Sequence, residues 1–154
     1  MTTRGSSPSG RGAIWVVTQF ALIAVIVATA WLPPATPRWL KLVGLFVAAG
    51  GAVFAAWAGR TLGRNLTPFP QPRPDGELVE HGPFRYVRHP IYGGGILFFV
   101  GLALATSFAA LVPTALLTLL WIGKSRDEER RLADRFPDYA EYRSRVRGRF
   151  LPWL

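Results

Sequence analysis

Cysteine is absent from this 154-residue chain, and histidine occurs only twice, as His81 and His89. The first absence excludes disulfides, iron–sulfur clusters and thiolate metal sites. Two histidines cannot build a metal centre alone, so no metal is expected. Acidic residues are scarce as well: 9 stand against 18 basic ones, for a formal net charge of +9. In a soluble chain that excess would suggest nucleic acid. No aromatic platform or reading helix accompanies it, so no nucleic-acid partner is expected. The most informative shortage is of charge inside the apolar segments. Hydrophobic residues make up 50% of the chain and gather into four blocks, at 13–32, 39–59, 91–107 and 108–123, with almost no charge within them. A soluble core of this size would interleave charges at helical or strand periodicity.

The blocks read as membrane spans. At ~1.5 Å rise per residue, the ~20 residues of the first cross a ~30 Å hydrocarbon core. A secretory signal also places basic residues ahead of an apolar run, but its apolar core is ~7–15 residues and a small-x-small cleavage site follows. Here Pro33, Pro34 and Pro37 come next and stop the helix, so a retained anchor is expected. Lys41 lies near one end of the second block, where it can snorkel to the interface beside Trp39. Gly44, Gly50, Gly51 and Gly59 give that block a small-residue face for close packing. The third and fourth blocks are near the lower length limit. Almost no loop separates them at Thr106 and Ser107, which predicts a tight antiparallel hairpin.

The expected fold is all-α: a polytopic membrane helix bundle of about four transmembrane helices, with short cytoplasmic amphipathic helices at its C-terminus. Residues 1–12, rich in Gly, Ser and Thr, read as a disordered cytoplasmic tail, and 13–154 as one domain. With four spans, all 18 basic residues except Arg38 and Lys41 fall on one side. Under the positive-inside rule both termini are then cytoplasmic, in a cell inner membrane. After the last block, Leu132, Phe136, Tyr139, Tyr142 and Val146 recur at helical spacing, interrupted by Pro137. Two short amphipathic helices are expected, one before Phe136 and one after Pro137.

Two polar stretches flank the predicted hairpin. One is His81-Gly82-Pro83-Phe84-Arg85-Tyr86-Val87-Arg88-His89-Pro90-Ile91-Tyr92-Gly93, and the other is Arg126-Asp127-Glu128-Glu129-Arg130-Arg131. Taken singly, each has an ordinary explanation. Arg85 and Arg88 suit topology charges, Glu128 and Glu129 a solvated helix turn paired with Arg131 or Lys124, Gly93 to Gly95 helix packing, and Tyr139 and Tyr142 interfacial anchors. The hairpin brings both stretches, within segments 75–92 and 124–154, to one membrane face. Cationic, anionic and aromatic groups then surround one cavity, a combination suited to a zwitterionic ligand with a flat ring.

From Asp75 onward the chain resembles the isoprenylcysteine carboxyl methyltransferases and their phospholipid N-methyltransferase relatives. The resemblance rests on the run from His81 to Tyr92, on Asp127-Glu128-Glu129, and on Leu132, Phe136, Tyr139, Tyr142 and the ending from Val146 to Pro152. It implies methyl transfer from S-adenosyl-L-methionine, bound at the cytoplasmic face, to a lipophilic carboxylate, amine or thiol entering from the bilayer. It implies cofactor contacts at Tyr86, Arg88, His89, Pro90, Tyr92, Glu128, Glu129, Tyr139 and Arg143, and catalytic roles for Arg85, Glu129 and Tyr142. Glu128 and Glu129 match the pair that holds the cofactor's amino end, with Glu129 the first choice. The segment after Pro137 matches one that closes over the cofactor. Arg143, Arg145, Arg147 and Arg149 there also suit anionic lipid headgroups. Pro137 stands where relatives usually have glycine, and Phe84 where tyrosine is frequent. Two other readings stay open on the residues alone: a nicotinamide-dependent reductase, since sterol reductases share an Arg-His-Pro-x-Tyr segment, and a non-enzymatic membrane component.

Overall fold

The computed structural model describes residues 10–33 and 36–152. Most of the expected 1–12 tail, together with Pro34 and the last two residues, lies outside them; Gly10 to Gly12 already belong to the first helix. Five α-helices are formed: α1 (Gly10–Thr29), α2 (Arg38–Leu62), α3 (Pro90–Ala105), α4 (Leu111–Arg135) and α5 (Tyr139–Arg145). Short 3-10 turns occupy Gly63–Asn65, Gly82–Arg85 and Phe108–Ala110, and no strand occurs among the described residues.

Three of these helical stretches are long and apolar enough to cross a membrane, with mean hydropathies of 2.1, 1.9 and 1.5 for those containing α1, α2 and α4. Backbone amides have no water to bond with in hydrocarbon, so apolar runs of this length fold as helices. Side chains such as Val17, Phe46 and Val53 turn outward, 67%, 80% and 70% exposed, as lipid-facing positions do. At 16 residues, α3 is about 24 Å long and falls short of a ~30 Å core by itself.

The short helix is held by α2. Glycines spaced seven apart on each helix, Gly44 and Gly51 against Gly94 and Gly101, leave no room for a side chain between them. A Cβ on Gly101 would lie 2.3 Å from the Ala48 nitrogen, and one on Gly51 2.6 Å from the Gly94 carbonyl oxygen. Gly50 and Gly59, which the sequence groups with the same face, look onto open space. The predicted α3–α4 hairpin is present, its turn capped by Ser107 Oγ accepting from the Ala109 N–H at 3.2 Å, but the closest backbone approach of α3 is to α2. Gly101→Val is therefore expected to destabilise by at least ~1–3 kcal/mol, because rigid backbone cannot yield to the added methyls. Gly50→Ala should leave the melting temperature of the purified protein unchanged. Equal melting of the two variants would contradict this packing.

Gly93, Gly94 and Gly95 point three ways. Gly94 meets α2, a Cβ on Gly95 would strike the Trp121 ring of α4 at 2.6 Å, and one on Gly93 would strike the Phe150 carbonyl oxygen at 2.1 Å. On the other flank α1 packs on α4, where Gly123 makes way for Trp15. Ile26, Phe99, Ala103, Ala110, Leu117 and Trp121 form the shared core.

One expectation is corrected. The segment before Phe136 is not a separate amphipathic helix but the end of α4, which runs unbroken from Leu111 to Arg135. Nothing between Lys124 and Arg135 interrupts helical propagation, and Pro113, the third residue of α4, sits in a first turn that tolerates proline. The helix after Pro137 does form, as α5. Its Tyr139 and Tyr142, with Val146, pack on Leu78, Leu132 and Phe136.

Candidate active site

The chain turns sharply before α3. Gly82 adopts φ +60°, a left-handed conformation that glycine takes without steric cost, and Pro83 opens the 3-10 turn Gly82–Arg85. That turn sorts the side chains: Phe84 and Val87 are buried, whereas Arg85 and Tyr86 are exposed and stack on each other 5.5 Å apart. Three residues past Arg85 the direction reverses. The Arg88 side chain is only 8% exposed, and His89 is buried as the residue preceding Pro90, where α3 begins.

Glu129, projected inward from α4 and 4% exposed, is the hub. It accepts from Arg88 Nε at 3.0 Å, pairs with His89 Nε2 at 3.1 Å, and meets Arg149 Nε at 3.4 Å. Arg143 reaches it only at 3.9 Å from a side chain that is 59% exposed. Glu128 takes the other imidazole nitrogen, His89 Nδ1, at 3.4 Å, and accepts the Tyr92 hydroxyl proton. Burial alone would lower the His89 pKa, but its bonds to Glu128 and Glu129 outweigh burial and raise it, favouring imidazolium. Burial would likewise raise Glu129, yet the bonds from His89 and Arg88 draw it down to about 2. Burial keeps Tyr139 and Tyr142 protonated well above the ordinary tyrosine range.

The C-terminal segment returns across this cluster. The Arg88 and His89 N–H groups donate to the Gly148 and Arg149 carbonyls at 3.0 and 2.8 Å, and Arg88 Nη1 donates to the Val146 and Arg147 carbonyls, each at 2.7 Å. Tyr142 donates to the Phe84 carbonyl at 2.8 Å, and Arg145 pairs with Glu80 at 2.7 Å. Bundle contacts thus hold α5 and its tail in place.

Beside the cluster lies a cavity of about 430 Å³, within the ~300–1,000 Å³ of small-molecule sites. Arg88, His89, Pro90, Tyr92, Glu128, Tyr139 and Tyr142 all contribute to its wall; Arg85, Tyr86, Glu129 and Arg143 do not. A single helical step of about 100° separates the two glutamates, and it turns Glu128 to the cavity while the cations enclose Glu129. Tyr139 is 1% exposed, and its hydroxyl has no hydrogen-bond partner among the described residues. His89, Tyr92 and Trp121 stack in series, with centroid spacings of 5.7 and 5.3 Å.

A family model for phospholipid methyltransferases matches residues 39–138, well over half of the chain. The chain belongs to that family. A stretch of 84 residues, 53% of the chain, is 36% identical to the cobalt-zinc-cadmium resistance protein CzcN of Cupriavidus metallidurans. The match covers 38% of that protein, so the chain spans well under half of the relative's length.

Three parts of the wall are not among the residues picked out from the sequence, although Lys124 and the end of the loop 66–79 fall within the segments 75–92 and 124–154. The loop 66–79, with Pro68, Phe69, Pro70 and Pro72, supplies one wall. It is closed by Asn65, whose Oδ1 accepts from the Glu77 N–H at 3.2 Å. Its alternating prolines were the available signal, because they preclude both helix and central strand. Gln19 and Lys124 also line the cavity. Gln19 stands out as a lone amide in an otherwise apolar run, and a polar residue inside a span marks function by default.

Proposed function

We propose that this chain transfers a methyl group from S-adenosyl-L-methionine to a lipophilic acceptor at the cytoplasmic face of an inner membrane, with both termini cytoplasmic. The observation that carries this reading is Glu128, which is held on the cavity wall by Tyr92 and His89 among aromatic side chains. A carboxylate with a partly exposed side chain, beside a phenol lacking a partner, fits a ligand that brings both an ammonium and polar ring edges. The residues present suit the cofactor: Glu128 would take its ammonium, and Phe84, Phe136 and Tyr139 would enclose its adenine.

When bound, the cofactor supplies an electrophilic methyl on a sulfonium. The protein's own contribution is positional. Arg88, His89 and Arg149 neutralise Glu129 and fix α4 against the start of α3. Glu128 is thereby presented at one orientation, and the aromatic wall limits water. Displacement at a sulfonium disperses positive charge, so fixed dipoles in place of water favour it. The acceptor, a carboxylate, amine or thiol, would approach from the bilayer, and the outward arginines Arg85, Arg143, Arg145 and Arg147 would meet anionic lipids.

Calorimetric titration of the purified protein with S-adenosylmethionine, S-adenosylhomocysteine and NADPH tests the reading. The two adenosyl ligands should bind and NADPH should not. Glu128→Gln should weaken S-adenosylhomocysteine about 10–100-fold, as for a lost charged hydrogen bond. Binding of NADPH alone, or undiminished affinity in a folded Glu128→Gln variant, would refute it.

A further inference from the structure

At the membrane side of the cavity sits a buried cation that the Glu129 cluster does not use. Lys124, one helical turn before Glu128, is 1% exposed and lines the cavity. Its ammonium donates to Gln19 Oε1 at 3.0 Å and to the Pro68 carbonyl at 2.7 Å, and stands 5.5 Å from the centre of the Tyr92 ring. All three partners are uncharged, and among the described residues no carboxylate pairs with it directly. Glu128 is engaged by Tyr92 and His89. A buried ammonium with no carboxylate in contact is costly to maintain. Gln19 does not relieve it: its Oε1 also accepts from Trp121 Nε1 at 3.0 Å, while its amide nitrogen makes no hydrogen bond among the described residues. Gln19 belongs to α1, outside the stretch matched to the family.

We propose that Lys124 and Gln19 form an anion-binding subsite at the membrane-side end of the cavity, for a carboxylate or phosphate of a ligand bound there. This rests on the methyl-transfer reading for its two sources of anion, the carboxylate of the cofactor or an acidic headgroup on the acceptor. Lys124 supplies the charge and the free Gln19 amide a neutral donor beside it. The Tyr92 ring lines the cavity beside Lys124, with Trp121 stacked on it.

The test is calorimetry on the full chain in phosphatidylcholine nanodiscs. The probes are S-adenosylhomocysteine, its decarboxylated analogue, octyl phosphate and octanol. In Lys124→Gln, affinity for an anionic probe should fall about 10–100-fold while its uncharged or decarboxylated counterpart is unaffected. Lys124→Arg should retain most of the affinity. A selective loss for S-adenosylhomocysteine assigns the anion to the cofactor, and a selective loss for octyl phosphate assigns it to the acceptor. Gln19→Glu, which keeps the acceptor oxygen but gives Lys124 an internal counter-charge, should produce the same loss, and it carries the test if Lys124→Gln does not fold. Unchanged binding of both anionic probes, or equal losses for charged and uncharged ones, overturns the subsite. If the wild type ignores S-adenosylhomocysteine yet binds octyl phosphate through Lys124, the subsite stands and the cofactor assignment falls. Normal S-adenosylhomocysteine binding in every variant, with octyl phosphate binding also unchanged, does the reverse.

Discussion

Glu129→Ala is expected to destabilise the protein by about 3–5 kcal/mol, the usual cost of removing one partner from a buried ionic cluster. Arg88 and His89 would be left buried, with the half-buried Arg149, around an empty position, and the start of α3 would lose its tie to α4. The ordinary glutamate value of 4.5 falls to about 2 on folding, so this contribution is fully present above pH 4.5. It fades as the pH drops through about 2. His89 acts in the opposite sense: its pKa is raised from 6.5, so its share is complete below pH 6.5 and is lost as the pH climbs through the raised value. Denaturant unfolding of the purified protein should show the large loss at neutral pH and a weaker acid limb in the variant. Arg143→Ala removes only the 3.9 Å contact of an exposed side chain and should cost less than ~1 kcal/mol. Similar stability losses for Glu129→Ala and Arg143→Ala would remove Glu129 from the centre of the cluster.

Gly93→Val should lower affinity for S-adenosylhomocysteine by at least about 100-fold, or ~2.7 kcal/mol, without touching the cavity. A Cβ at this position would overlap the Phe150 carbonyl oxygen, and neither helix backbone nor tail backbone can step aside cheaply. The tail must lift, taking with it the carbonyls of Val146, Arg147, Gly148 and Arg149 that accept from Arg88 and His89. Ending the chain after Pro137 should abolish binding altogether, since Tyr139 and Tyr142 leave the wall with it. Amide exchange at 146–150 should accelerate in Gly93→Val even before ligand is added. Wild-type exchange and wild-type affinity together would show that the returning segment is incidental to the site.

Much of the architecture was legible in the chain because its causes are local. Apolar runs bounded by proline and arginine specify helices in hydrocarbon whatever packs beside them. The run from His81 to Tyr92 and the pair Glu128-Glu129 likewise marked two of the segments that line the cavity. Pro137 marked the break between α4 and α5.

Long-range contacts decided what that pattern left open. Arg85 and Arg88 are equivalent as letters, yet a 3-10 turn directs one outward and the other to Glu129. Glu128 and Glu129 differ by one helical step, and only the positions of Arg88, His89 and Arg149 determine which is enclosed and which faces the cavity. The prolines of 66–79 exclude regular structure without saying where the loop lies; Asn65, Glu77 and the Arg135 bond to the Pro74 carbonyl place it. Gln19 is a lone amide in one helix and Lys124 a cation in another, separated by 105 positions. Periodicity reports which face of a helix is apolar, but the partner of a buried polar group is set by where two distant helices cross.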